Sequence, residues 1–216
     1  GSTLVDSSPY ARTITANGTP DTLTVPVTQG TGSFPDFPSL LVTVNASPDD
    51  PVDWSVAESN DFKVPQMTIE YFWYQSSSSG HTNCPVHVIG TNTFDTNQFY
   101  TGTYVATGRF GYAIGTEAQN TLAVGSLTFN AVHHVAAVID TDANPVEIWI
   151  DGTRVAERTG VTIGPDMTKI HLGLSGGGGG ASAVAYTYEV SQIRITAAAR
   201  YSGATITVPT GPFPTS

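Results

Sequence analysis

Between His133 and Glu157 the chain reads HHVAAVIDTDANPVEIWIDGTRVAE. This run leaves little freedom in how it folds. Val146, Ile148 and Ile150 alternate with Glu147, Trp149 and Asp151, and a period of two puts the two sets on opposite faces of a strand. A second apolar run, HHVAAVID, precedes them, with DTDAN between. Asp151-Gly152 supplies the pair that a two-residue primed turn favours. The segment therefore predicts strand, turn, strand, tight turn, strand: a meander.

The same pattern recurs along the chain. TLTVPV (22–27), SLLVTVNA (39–46), PVHVIGT (85–91), FYTGTYV (99–105), RFGYAIG (109–115), TLAVGSLTF (121–129), KIHLGLS (169–175) and VAYTYEVSQIRIT (184–196) all read as strands, separated by turn residues. MTIEYFWYQ (67–75) alternates most clearly. Met67, Ile69, Tyr71 and Trp73 share one face; Thr68, Glu70, Phe72 and Tyr74 share the other. The one helical candidate is short, around Ala197–Arg200. Many short strands with regular punctuation predict an all-β, two-sheet antiparallel sandwich or jelly roll. No internal repeat is visible, and neither SSSSG (76–80) nor the glycine run 176–180 is long enough for a domain linker. Residues 3–216 are read as a single domain, with 3–65 as an irregular segment wrapping the sandwich. Gly1-Ser2 reads as a cloning scar, which leaves open whether the chain is a domain cut from a longer protein.

Composition narrows the partners. Of the 216 residues, 39% are hydrophobic, enough for a core, and only 12% are charged. The net charge is −10, with Lys63 and Lys169 the only lysines. A nucleic-acid surface needs clustered Lys and Arg, so nucleic acid is not an expected partner. No apolar run approaches the roughly 20 residues that span a bilayer as a helix, so membrane insertion is not expected. No signal peptide is visible, which says little about location in a chain cut from a longer one. The single Cys84 excludes an internal disulfide and a multi-cysteine metal site, and reads as a buried or half-buried thiol in a loop entering a strand.

Three blocks then resemble the concanavalin A-like lectin/glucanase superfamily of laminin G-like jelly rolls. They are HHVAAVIDTDANPVEIWIDGTRVAE, the earlier MTIEYFWYQ, and the closing YEVSQIRITAAARYSGATITVPTGPFP. VDSSPYARTITANGT resembles that family's opening strand. The ARY followed by a threonine/proline tail and PFP is similar to segments of bacteriophage structural proteins. The chain departs from the family in places: Val132 stands where Trp is usual, and Ser191-Gln192 where many members carry Asp-Glu. The resemblance implies a concanavalin A-like sandwich in a phage virion protein of the tail, fibre or capsid surface, exposed on the outside of the particle. Its implied partners are a host-surface glycan or neighbouring virion proteins, with a homo-oligomer open.

The residues offer several chemistries. Asp140, Asp142 and Asn144 alternate as in the first half of an EF-hand loop, but Pro145 takes the sixth place, which needs Gly, and Asp151 the twelfth, which needs Glu. DTDAN is read as a hairpin turn, with a loop calcium site the alternative and no other cofactor expected. His133 and His134 are adjacent on a strand and point to opposite faces, a poor arrangement for sharing a metal. Gly173-Leu174-Ser175-Gly176-Gly177 matches the letters of a nucleophile elbow, but glycines do not start the helix that motif needs. Asn17 and Asn45 head glycosylation sequons that matter only in a eukaryotic secretory setting. Retaining glycosidases need two carboxylates about 5–5.5 Å apart, and Glu70 and Glu147 each stand alone in an aromatic strand. The expectation is a glycan-binding module without catalysis; the alternative is a purely structural virion, decoration or assembly module that binds no glycan, and a polysaccharide-degrading glycosidase ranks behind both. Sugar recognition needs aromatic faces with fixed polar partners. Trp149 with Glu147 on an open sheet face, and Tyr74 leading to His81 in the SSSSGH loop, are the predicted ligand contacts. Trp73 is read as core.

Overall fold

In a computed structural model, the described residues are 9–17, 23–24, 40–44, 53–56, 59–62, 64–75, 83–89, 98–104, 109–114, 128, 131–140, 146–159, 169–175, 186–211 and 213–214. Their strands run in chain order β1 (Ile14–Asn17), β2 (Leu23–Thr24), β3 (Leu40–Val44), β4 (Asp53–Val56), β5 (Gln66–Gln75), β6 (Asn83–Ile89), β7 (Gln98–Tyr104), β8 (Arg109–Ile114), β9 (Val132–Asp140), β10 (Val146–Ile150), β11 (Thr153–Arg158), β12 (Lys169–Ser175) and β13 (Tyr186–Thr196). One 3₁₀ turn, Asn60–Phe62, precedes β5. A six-stranded sheet has the order β1-β4-β12-β6-β7-β8, and a seven-stranded sheet the order β11-β10-β9-β5-β13-β3-β2. Every described pairing is antiparallel. The chain is the expected all-β, two-sheet jelly-roll sandwich.

The alternation in β5 fixes how the large sheet packs. Met67, Ile69, Tyr71 and Trp73 are buried on the inner face, with Val135, Ala137 and Ile139 of β9 and Val146 and Ile148 of β10 beside them. Val56 and Ile170 are buried on the opposing sheet. Burying a side chain of this size is worth about 1.5–3 kcal/mol, so a one-residue register slip, which would expose the whole set, is strongly disfavoured.

Two expectations are corrected. Residues 3–65 do not merely wrap the sandwich: β4 is an interior strand, between β1 and β12, and β3 lies between β13 and β2. These strands are short, and their pairing comes from segments far along the chain. The helix expected at Ala197–Arg200 is absent: the chain bends at Ala197-Ala198 and continues without regular structure through Arg200. The Thr68 hydroxyl donates to the Ala198 carbonyl at 2.6 Å and accepts the Arg200 N–H at 3.0 Å. Those bonds hold the backbone against the sheet.

Cys84 sits inside β6 rather than before it. The neighbouring Pro85 falls where the β6–β7 register shifts, between Asn83 and Val86, the kind of irregularity that admits a proline into a sheet. The Cys84 side chain, most of DTDAN and the run 121–127 lie outside the described residues.

Candidate functional site

The outer face of the seven-stranded sheet carries the polar half of the β5 alternation. Register places Thr68, Glu70, Phe72 and Tyr74 of β5 alongside Val138, Ala136, His134 and Val132 of β9, with Glu147 and Trp149 of β10 beyond. This was the face predicted to be open. It is closed by the chain itself. Residues 197–211 and 213–214 cross it as a strap. Tyr201 and Ile206 pack on Ala136, Val138 and Trp149; Phe213 and Val208 pack on Phe72, Tyr74 and Val132. At its middle the strap extends the sheet edge: Thr153 bridges Thr205, the Arg154 N–H donates to the Ala204 carbonyl at 2.9 Å, and the Ile206 N–H to the Gly152 carbonyl at 2.8 Å.

Glu70 lies beneath the strap with a relative exposure of 0%. A buried carboxylate persists only when it is paired and hydrogen-bonded. The Arg194 Nε donates to Oε1 at 2.7 Å, the Tyr201 hydroxyl donates to Oε2 at 2.7 Å, His134 Nε2 stands 3.4 Å from Oε2, and Arg200 Nε is 3.5 Å from Oε1. Burial alone would raise the Glu70 pKa. The bonds from His134, Arg194 and Tyr201, with the Arg194 charge, outweigh it and bring the value down to about 2. Burial first, then the hydrogen bond to Glu70 and the Glu70 charge, raise the Tyr201 phenol above its usual value against the opposing effect of Arg194 and Arg200. A bulge in β13 between Ser191 and Arg194, with Gln192 at a φ of 53°, aligns Arg194 with Glu70. Gln192 also accepts the Phe213 N–H at 3.2 Å, and Arg194 lies 4.2 Å over the Phe213 ring. The Ser191-Gln192 departure from the family pattern thus sits where the sheet holds its strap.

The His-His and Asp-Gly signatures meet at the start of β9. His133 and His134 point to opposite faces, as the strand period requires. His133 Nδ1 lies 2.6 Å from Asp151 Oδ2, and its Nε2 lies 2.9 Å from the Thr128 carbonyl and 3.2 Å from the Thr128 hydroxyl. The other Asp151 oxygen accepts the His134 N–H at 2.9 Å. Burial pulls the His133 pKa down, but the Asp151 carboxylate and the Thr128 carbonyl raise it overall. Asp151 is lowered: burial opposes, and the bonds from His133 and the His134 amide prevail. An acceptor at each ring nitrogen favours imidazolium. A Thr-His-Asp nucleophilic relay would need Nε2 free to take the hydroxyl proton, and here it faces a carbonyl. The arrangement is a structural clasp on the Asp-Gly turn.

The predicted ligand contacts separate. Trp149 has 0% exposure, and its indole N–H donates to the Gly203 carbonyl at 3.1 Å. It presents no ring face to a sugar while the strap is in place. Glu147 is buried against Arg154, which also reaches Glu157 at 3.0 Å. Tyr74 is half-buried beside the Phe72–Phe213 cluster. His81 lies outside the described residues. Trp73 is buried in the core as expected. Glu70 and Glu147 share a face two strands and two positions apart, a Cα separation of about 12 Å from sheet spacings. Both are held by arginine, which leaves neither poised as a general acid or base. Among the described residues no cluster of three His, Cys, Asp or Glu could hold a metal. Sequence reasoning missed the strap and its anchors, Arg194, Tyr201 and Phe213. The one available signal was the apolar spacing of Tyr201, Ile206, Val208 and Phe213 in a tail otherwise rich in Thr, Gly and Pro.

No protein-family model and no curated protein matches the chain. Solved structures do share its fold. The binding domain of botulinum neurotoxin DC in complex with SialylT is 12% identical with a TM-score of 0.63, over 91% of this chain and 45% of that one. A botulinum neurotoxin type C structure, from work on cell entry through two ganglioside molecules, is 12% identical with a TM-score of 0.60 over the same shares. A sialidase is 12% identical with a TM-score of 0.53, over 73% of this chain and 15% of that one. The chain thus spans less than half the length of these structures. At such identities the likeness is one of fold.

Proposed function

We propose that this sandwich is a non-catalytic glycan-binding module, displayed on a phage virion and directed at a host-surface saccharide. The observation that carries the reading is the state of the acids on the large sheet. Glu70 is ionised, fully buried and arginine-paired, and Glu147 is closed against Arg154. That suits a rigid scaffold rather than an acid/base pair. The fold points the same way, since neurotoxin binding domains of this architecture have been solved with SialylT and studied with gangliosides. The virion setting is supported by the likeness of the closing segment to phage structural proteins. With the sheet face strapped, recognition falls to the loops and margins of the sandwich, where binding residues commonly sit on a rigid frame.

The test is an immobilised panel of host-envelope and general glycans probed with the intact chain, with calcium and again with chelator. Saturable binding to a restricted set of glycans is expected. Absence of binding across the panel in both conditions overturns the reading.

A further inference from the structure

Among the described residues Tyr10 is the one large hydrophobic side chain that stands exposed, at 67%. A single exposed ring is ordinary on a protein surface. This ring is held in an ordered stack. The Arg12 guanidinium lies 4.2 Å from the Tyr10 ring centroid and 4.9 Å from that of buried Phe62. Arg12 is fixed in turn by Asp61 at 3.1 Å, and the Asp61 N–H donates to the Ser59 hydroxyl at 3.1 Å. Between Tyr10 and Arg12, Ala11 adopts a φ of 42°, a left-handed conformation that costs a non-glycine residue about 1–2 kcal/mol. Strain of this kind persists where the surroundings hold it, and it concentrates at functional sites. The segment leads straight into β1, and Asp61 and Phe62 sit on the 3₁₀ turn ahead of β5, so both sides of the stack rest on the sandwich.

We propose that Tyr10, Arg12 and Asp61 form the ring-stacking subsite for a neutral hexose; this rests on the glycan-binding reading above and names its ligand class. The aromatic ring, backed on one face by Arg12, offers a flat apolar surface to the C–H face of a pyranose. The Asp61 carboxylate, joined to the ring through Arg12 and 57% exposed, would accept hydroxyl hydrogen bonds. The charge selects against acidic sugars. Arg12 is only 15% exposed and already paired, and the rim carboxylate belongs to a chain of net charge −10. A sialic acid carboxylate would meet repulsion within the Debye length of about 8 Å at physiological salt.

Calorimetric titration of the intact chain with lactose, maltotriose, mannotriose and sialyllactose tests this. At least one neutral saccharide is expected to bind, with sialyllactose weaker than lactose. Tyr10→Ala should weaken neutral binding about tenfold while Tyr10→Phe, which keeps the ring, stays within about threefold. An unchanged melting temperature confirms that each variant is folded. Neutral binding that survives Tyr10→Ala intact overturns this subsite and leaves the glycan-binding reading standing. So does binding of sialyllactose alone. No binding to these saccharides or to the wider panel overturns both.

Discussion

Asp151 Oδ2 lies 2.6 Å from Nδ1 of His133, eighteen residues earlier in the chain. With its second oxygen on the His134 amide, one carboxylate ties the Asp-Gly turn to the start of β9. The two most recognisable letters of the sequence pattern, paired histidines and Asp-Gly, are thus two halves of one contact.

That contact is expected to make stability depend on pH at both ends. The His133 pKa is raised from 6.5, so its contribution is complete below 6.5 and is lost as pH rises through the higher folded value. The Asp151 pKa is lowered from 3.8, so its contribution is present above 3.8 and is lost as pH falls through the lower folded value. Asp151→Asn keeps a residue that tolerates its φ of 49°. It should cost about 1 kcal/mol between those limits, a figure discounted because the Asp151 side chain is half exposed. Urea denaturation at pH 5.5 and at pH 9 checks this: the gap between wild type and variant should narrow at the higher pH.

Glu70 is expected to be the least replaceable charge. Glu70→Gln leaves Arg194 beneath the strap without its counter-ion, and breaking a buried pair this way costs about 3–5 kcal/mol. Because the Glu70 pKa falls from 4.5 to about 2, its contribution is present above 4.5 and is lost as pH falls toward 2. Acid titration followed by circular dichroism should show wild type losing stability below pH 4.5 more steeply than Glu70→Gln.

The strap should respond as a unit. Tyr201→Phe removes a hydrogen bond to a carboxylate, worth about 1.5–3 kcal/mol. Phe213→Ala removes a ring stacked 5.7 Å from Phe72, and costs about 3 kcal/mol. In the double variant Trp149 should become accessible to acrylamide. Trp149 fluorescence that stays shielded would mean that the strap does not cover it in solution.

Gly152→Ala tests the crossing directly. At a φ of 80° an added Cβ would lie 2.7 Å from the Ile206 carbonyl oxygen and 3.1 Å from a Val208 methyl. Since the nearest atom is backbone, a loss of about 2 kcal/mol or more is expected, read as a lower melting temperature.

Much of the fold was legible because period-two alternation is a local signal. β5, β9 and β10 follow from their own residues, and Asp-Gly marks the turn. β4 was not legible: Asp53–Val56 is four residues long, and its interior place depends on pairing with distant Ile170 and Leu172. Trp149 shows the limit for the site. Alternation assigns it to the outer face correctly, but whether that face meets water is decided by Tyr201 and Ile206, some fifty residues later. Glu70 reads alike in sequence whether it is an exposed acid or a buried ion. The strap that covers it, and the bulge that brings Arg194 opposite it, separate the two.

The central claim is that this chain holds a saccharide without cleaving it. Native mass spectrometry of the intact protein with the oligosaccharide that binds best on the panel tests this directly. The account predicts a saturable complex whose mass is protein plus uncleaved saccharide, unchanged after prolonged incubation. Free protein at saturating ligand, or shortened saccharide products, would contradict it.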